Sequence, residues 1–184
     1  MHLNEFITWL RDTRSACVIE LGTRRSNPNF ATHHQSWVPP DCKFVMSDFQ
    51  DGLDVDVLAD AHTLTQTFEP GSFDALIACS VFEHIQRPWI AANEIAKILK
   101  PGGKAYIQTH QTFPLHAYPY DYWRYTKEAM ETIFGDAGLS GEAYYEFPCK
   151  IVSEADPNGA NHPAFLNVCI VAEKPPASRQ DGER

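Results

Sequence analysis

No apolar run in this 184-residue chain approaches the length needed to cross a bilayer. Its amino terminus lacks a secretory layout, because Glu5, Arg11 and Asp12 interrupt it. A soluble, cytoplasmic protein with no membrane partner is expected. Basic residues are in deficit: 15 Lys and Arg stand against 24 Asp and Glu, a formal net charge of -9. That balance argues against a broad phosphate-binding face, so long nucleic acid is not an expected partner. The five cysteines include no CxxC pair and read as free thiols, not as a disulfide frame or a zinc site. A GxGxxG run after the first apolar strand is also missing, which counts against a nicotinamide-dependent enzyme. No internal repeat or compositional break divides the chain. Residues 1–174 are expected to form one domain, and 175–184, with no apolar pattern, a disordered tail.

What is present is organised around residues 73–103, FDALIACSVFEHIQRPWIAANEIAKILKPGG. Phe73 to Ala78 is an apolar run of strand length, broken by Ser80, Glu83 and His84. Pro88 suits the first turn of a helix. Trp89, Ala92, Ile95, Ala96 and Leu99 follow at helical spacing. Pro101-Gly102-Gly103 stops that helix, and Lys104 to Thr109 restarts as a strand. This is a β-α-β unit, whose ligand edge lies at the carboxyl ends of the strands.

Around that unit the pattern repeats. Leu3, Phe6, Ile7 and Leu10 predict an amphipathic first helix. Ala16 to Leu21 reads as a strand, apolar except for Glu20. A crossover helix is due next, yet 24–41 holds Pro28, Pro39, Pro40 and His33-His34, so at most a short helix near Phe30 to Ser36 is expected. Lys43 to Met46 and Asp54 to Ala59 read as further strands, ended by Ser47-Asp48 and Asp60-Ala61-His62. His110 to Tyr125 is rich in aromatics and proline, and a loop of that length is usually functional. Thr126 caps a helix over Lys127 to Ala137, and Gly138 stops it. Gly141 to Phe147 and Ala164 to Glu173 read as two late strands, joined by a hairpin-like excursion over 148–163.

The order strand–Glu20-Leu21-Gly22, strand–Asp48, strand–Asp60-Ala61, then SVFEH, LKPGG and Asp121-Tyr122-Trp123-Arg124 resembles the class I S-adenosylmethionine-dependent methyltransferases. It is similar in particular to the small branch with SVLEH-type and DYWR-type motifs. The resemblance runs from about Val18 to Thr126. It implies an α/β fold: a Rossmann-like, doubly wound, mostly parallel seven-stranded sheet with an antiparallel C-terminal hairpin and helices on both faces. It implies S-adenosyl-L-methionine as cofactor. Glu20 and Gly22 would lie beside its methionine part, Asp48 would accept from the ribose hydroxyls, and Asp60 with Ala61 would meet the adenine. Ser80 and the turn to His84 would lie under the transferred methyl group. One position departs from the family. Arg24 stands where a glycine is usual, and it either turns outward, pairs with the cofactor carboxylate or compromises the pocket.

Simpler readings compete with these. Glu20 can pair with Arg24 or Arg25, Asp48 can merely begin a turn, and Glu83 and His84 can cap the helix that follows. His110, His116 and Asp121 are the expected bases if an oxygen or nitrogen acceptor must lose a proton. The same three groups suit a metal, but no tight ligand motif is present and none is assigned. The expected function is methyl transfer to a small or medium-sized acceptor, aromatic or sugar-like. The alternative is a non-catalytic binding module with a degenerate cofactor loop.

Overall fold

The computed structural model describes residues 1–151 and 164–177. Most of the expected excursion over 148–163, and the tail beyond 177, lie outside the described residues. Helix α1 (Leu3–Asp12) precedes strand β1 (Cys17–Leu21). Then come β2 (Lys43–Asp48), β3 (Val57–Leu58), β4 (Phe73–Cys79), α2 (Pro88–Ile98), β5 (Leu99–His110), α3 (Lys127–Asp136), β6 (Ala143–Cys149) and β7 (Ala164–Glu173). The seven strands form one sheet in the order β3-β2-β1-β4-β5-β7-β6. The first five are parallel, while β7 runs antiparallel to both β5 and β6. This is the expected class, a doubly wound sheet with an antiparallel end.

The central strand β4 explains why the fold needs two covering layers. Ala75 and Ile77 point to one side, where Phe6 and Leu10 of α1 pack with Val18 and Tyr106. Leu76 and Ala78 point to the other, where Ile95 and Ile98 of α2 pack with Met130 and Phe134 of α3. All of these side chains are buried, and each large one contributes about 1.5–3 kcal/mol. A strand apolar on both faces suits a parallel sheet with both faces covered.

Three expectations need correcting. The crossover between β1 and β2 contains only a 3-10 turn, Gln35–Trp37. Its prolines forbid a longer helix, and Trp37 and Val38 cover the sheet beside α1 instead. The third strand shrinks to Val57–Leu58 because only Ser47 and Asp48 are available to pair with it. Trp89 is 48 % exposed; the buried stripe of α2 is Ala91, Ala92, Ile95 and Ile98. The strand after α2 also begins early, since Leu99 already pairs with Phe73 before a register shift at Pro101-Gly102-Gly103. Thr126 caps α3 by accepting from the Ala129 N–H at 3.2 Å, and Gly138 adopts the left-handed conformation that stops it.

Candidate functional site

Four parallel strands end on the same edge, and their turns enclose a cleft of about 320 Å3. Gly22 ends β1 at φ 77°, and a Cβ there would sit 2.3 Å from the Val81 methyl. Glycine is required by both the backbone and the close approach of the turn after β4. Asp48 ends β2. Its Oδ2 accepts from the Arg24 N–H at 3.2 Å and its Oδ1 from the Gln50 N–H at 2.9 Å. Each oxygen keeps further acceptor capacity toward the cleft. The neighbouring Ser47 is among the lining residues; its hydroxyl is buried and has no hydrogen-bond partner.

After β3, Asp60 Oδ1 accepts from the His62 N–H at 2.9 Å and faces His62 Nδ1 at 2.7 Å. His62 Nε2 faces the Arg87 N–H at 3.2 Å. These partners assign the proton to Nδ1, so the neutral ring satisfies both contacts. His62 lines the cleft with Asp60 and Ala61. The Asp60-Ala61-His62 turn was visible in the sequence, but its histidine received no role. Ser80 follows β4 at φ 54°, unusual for a residue with a side chain, and its N–H donates to the Gln108 carbonyl at 2.9 Å. Ser80, Val81, His84 and Ile85 form the next wall, and Tyr120 and Tyr122 close it from the long aromatic segment.

Two residues expected at the cofactor do not line this cleft. Glu20 is 3 % exposed, and its carboxylate is taken up by His34, by the N–H and by Nδ1, each at 2.7 Å. The irregular crossover thus supplies the partner of the one acid in β1. Arg24 turns outward, its Nε donating to the Asp51 carbonyl at 3.1 Å.

Behind the His84 wall lies a buried polar cluster. Glu83 is fully buried. Its Oε2 accepts from the Thr109 hydroxyl at 2.7 Å. Its Oε1 lies 3.0 Å from His110 Nε2, 3.7 Å from His84 Nε2 and 4.0 Å from His116 Nε2. The His110 approach is at ion-pair distance, though none of the three meets full hydrogen-bond geometry. Burial raises the Glu83 pKa, but His110 and the Thr109 hydroxyl outweigh it and hold the group below its ordinary value.

His110, His116 and Asp121 come together beside this cluster but do not line the cleft. Asp121 is held by Arg124 through two contacts, 2.6 and 2.9 Å. That guanidinium, with the His116 N–H, keeps its carboxyl well below the usual range. It is a poor proton acceptor at neutral pH. The backbone N–H groups of Tyr122 and Trp123 donate to the Glu83 carbonyl at 2.9 and 3.2 Å. Trp123 Nε1 donates to the Ile85 carbonyl at 3.0 Å, and the Tyr125 hydroxyl to the Phe82 carbonyl at 2.8 Å. The aromatic segment is fastened to the SVFEH turn by these bonds.

S-adenosylmethionine needs acceptors for two ribose hydroxyls, an apolar slot for adenine and a glycine turn for its methionine part. Asp48, the apolar surfaces of Phe49, Ala59 and Ile85, and the Gly22 turn are of the kind that can meet that need. Residues 31–107 match a family model described as a methyltransferase domain. The ubiquinone biosynthesis O-methyltransferase of Xanthomonas euvesicatoria pv. vesicatoria (strain 85-10) is 29 % identical over 69 residues, 38 % of this chain. That match spans 29 % of the relative's length. A SAM-dependent methyltransferase from Archaeoglobus fulgidus superposes with a TM-score of 0.66 at 16 % identity, covering 94 % of this chain and 91 % of that one. The 1,6-didemethyltoxoflavin-N1-methyltransferase of Burkholderia thailandensis, solved with its substrate and S-adenosylhomocysteine, gives 0.61 at 13 % identity over 92 % and 76 % of the two chains. At such identities the structures speak for the fold alone. The segment 31–107 is similar to a methyltransferase domain, and the sheet order and fold are those of S-adenosylmethionine-dependent methyltransferase structures.

Proposed function

We propose that this chain transfers a methyl group from S-adenosylmethionine to an oxygen or nitrogen of a small or medium-sized acceptor carrying an aromatic or sugar-like ring. The observation that carries the reading is one cleft with two unlike walls. Asp48 and Ser47 stand on one side, and His84 with the Tyr120 and Tyr122 rings on the other. The similar ubiquinone biosynthesis O-methyltransferase supports an oxygen acceptor.

When bound, the cofactor supplies an electrophilic sulfonium methyl group. The chain's task is to align the acceptor and exclude water. Asp48 holds the ribose, Asp60 and Ala61 the adenine, and Gly22 and Ser80 the methionine side. Tyr120 and Tyr122 offer ring faces to the acceptor. Of the expected bases, His110 and His116 stand behind the wall, so His84 is the histidine best placed to take the acceptor's proton. Its Nδ1–H donates to the Tyr120 carbonyl at 2.8 Å, which leaves the Nε2 lone pair free. The Glu83 carboxylate, 3.7 Å away, would stabilise the imidazolium that forms.

Calorimetric titration with S-adenosylhomocysteine tests the cofactor half of the reading. Micromolar binding is expected; no binding at millimolar ligand would favour a non-catalytic module. With an acceptor found by screening, His84→Ala should lower turnover by about 10²–10⁴-fold. Parental turnover in His84→Ala would remove it from the role of base.

A further inference from the structure

The cluster behind the cleft contains a convergence of ligand atoms that methyl transfer does not require. Three imidazole Nε2 atoms converge on one carboxylate oxygen, and the other nitrogen of each ring faces an oxygen. His84 Nδ1 faces the Tyr120 carbonyl at 2.8 Å. His116 Nδ1 faces the Pro114 carbonyl at 3.1 Å and Asp121 Oδ2 at 3.5 Å. His110 Nδ1 faces Asn167 Oδ1 at 3.3 Å. A carbonyl or carboxylate oxygen accepts only, so the protons of His84 and His116 belong on Nδ1. Oε1 of the fully buried Glu83 carboxylate is thus approached by three ring nitrogens, at 3.0, 3.7 and 4.0 Å.

We propose that Glu83, His84 and His116, with His110 as the nearest fourth group, bind one divalent transition-metal ion of the zinc type. Imidazole nitrogen with a carboxylate oxygen is a suitable ligand set for such an ion. The donor atoms of Glu83, His84 and His116 already lie within 4.8 Å of one another. Metal–ligand bonds of about 2.0–2.2 Å in a tetrahedral site place neighbouring donors about 3.4 Å apart. The observed 3.7 and 4.0 Å from Glu83 Oε1 need contractions of about 0.3 and 0.6 Å to reach that spacing. The surroundings also match. Ligating histidines hold their second N–H on carbonyl or carboxylate oxygens, as Tyr120, Pro114 and Asp121 do here. Because His84 belongs both to the cluster and to the cleft wall, an ion there lies beside the acceptor. It occupies the lone pair that His84 would otherwise use as a base, so acceptor activation passes from proton abstraction to polarisation of an acceptor oxygen.

The test needs no cofactor. The full chain is stripped with a chelator and titrated with zinc alone by calorimetry, then with cobalt by visible spectroscopy. One equivalent should bind, without the sulfur-to-metal charge-transfer band that thiolate ligands would give. His84→Ala and His116→Ala should each weaken zinc binding by at least about 100-fold, since outer-shell changes alone cost about 10–100-fold. His33→Ala, outside the cluster, should match the parent. Asp121→Asn keeps every ligand and should fall in that 10–100-fold range. Zinc should raise the melting temperature of the parent and of His33→Ala but not of the two ligand variants, which guards against misreading an unfolded protein. No stoichiometric binding at micromolar zinc, a thiolate band, or parental affinity in both ligand variants would overturn the site. Failure of zinc to bind leaves the methyl-transfer reading standing, and failure of S-adenosylhomocysteine to bind leaves the metal site standing.

Discussion

The two walls of the cleft are built on different principles. On the β1–β3 side the polar groups sit at strand ends, partly open to solvent, and their geometry is set by backbone N–H groups: Arg24 and Gln50 for Asp48, His62 for Asp60. Behind the β4–β5 side the polar groups hold one another: buried Glu83 with Thr109 and His110, and half-buried Asp121 with Arg124 and His116. A strand end with an acceptor is cheap to build and local in sequence. A buried carboxylate must be matched by partners from distant segments, and its loss leaves them stranded. Mutations on the first wall should therefore cost ligand affinity, and mutations on the second should cost stability first.

Glu83→Ala is the largest expected effect. It should destabilise the fold by about 3–5 kcal/mol, the scale of breaking a buried charged network, read by urea denaturation. Glu83→Gln, which keeps the shape and the Thr109 contact, should cost less. A loss under about 1 kcal/mol for Glu83→Ala would erase the contrast between the walls. Asp48→Ala comes next and acts on the other quantity. Affinity for S-adenosylhomocysteine should fall by about 1.5–3 kcal/mol, the scale of lost charged hydrogen bonds, with the melting temperature almost unmoved. Parental affinity with an intact fold would sink the ribose assignment.

The contrast also sets what was legible in the sequence. Asp48, Asp60 and Ser80 were readable because an apolar run followed by a polar residue marks a strand end, and a parallel sheet puts all such ends on one edge. The Glu83 cluster was not. Glu83 and His84 read equally well as helix caps, and nothing local said that Thr109 and three histidine rings would meet one carboxylate. Helix α2 shows the same limit: its period was clear, but Trp89 fits the period and still lies outside the core, because solvent, not spacing, decides which residue at the edge of a stripe is covered. The crossover after β1 was legible as an exception. Its prolines excluded a helix, while the capture of Glu20 by His34 depends on a fold-back that spacing alone does not reveal.

A smaller effect on the second wall is expected from acid. Arg124, with the His116 N–H, depresses the Asp121 carboxyl. A depressed carboxylate stabilises the fold fully above its unfolded value of about 4, and that contribution is lost as pH falls toward the folded value. Melting temperature measured from neutral pH downward should drop on this limb. In Asp121→Asn the drop should be shallower, after a loss of about 1–2 kcal/mol at neutral pH from the charged pair. An Asp121→Asn curve parallel to the parent's would show that other carboxylates carry the acid limb.

The smallest effect is the one that decides whether the altered glycine turn matters. Arg24 stands where small residues usually let a ligand approach, and a side chain there might be expected to block the cleft or to clasp a carboxylate. The geometry gives it neither task. Thr23 is buried, its hydroxyl donating to the Asp54 carbonyl at 2.6 Å. Arg25 is paired with Asp54 at 2.6 and 2.9 Å. With its two neighbours fixed, Arg24 is directed over Gly52, where its Nε donates to the Asp51 carbonyl. Its link to the site is its backbone N–H to Asp48, which a substitution by alanine keeps. Arg24→Ala should therefore change S-adenosylhomocysteine affinity by less than about 0.5 kcal/mol, the range of ordinary surface changes. Arg25→Ala provides the contrast: it removes a two-contact ion pair that anchors the turn, and should lower affinity more than Arg24→Ala does. A gain in affinity beyond that range for Arg24→Ala would mean that the side chain obstructs the cleft in solution, and a loss would mean that it reaches the ligand carboxylate. Either result would transfer Arg24 to the first wall and revive the question of a degenerate loop; no change removes the departure from the family pattern as an argument against cofactor binding.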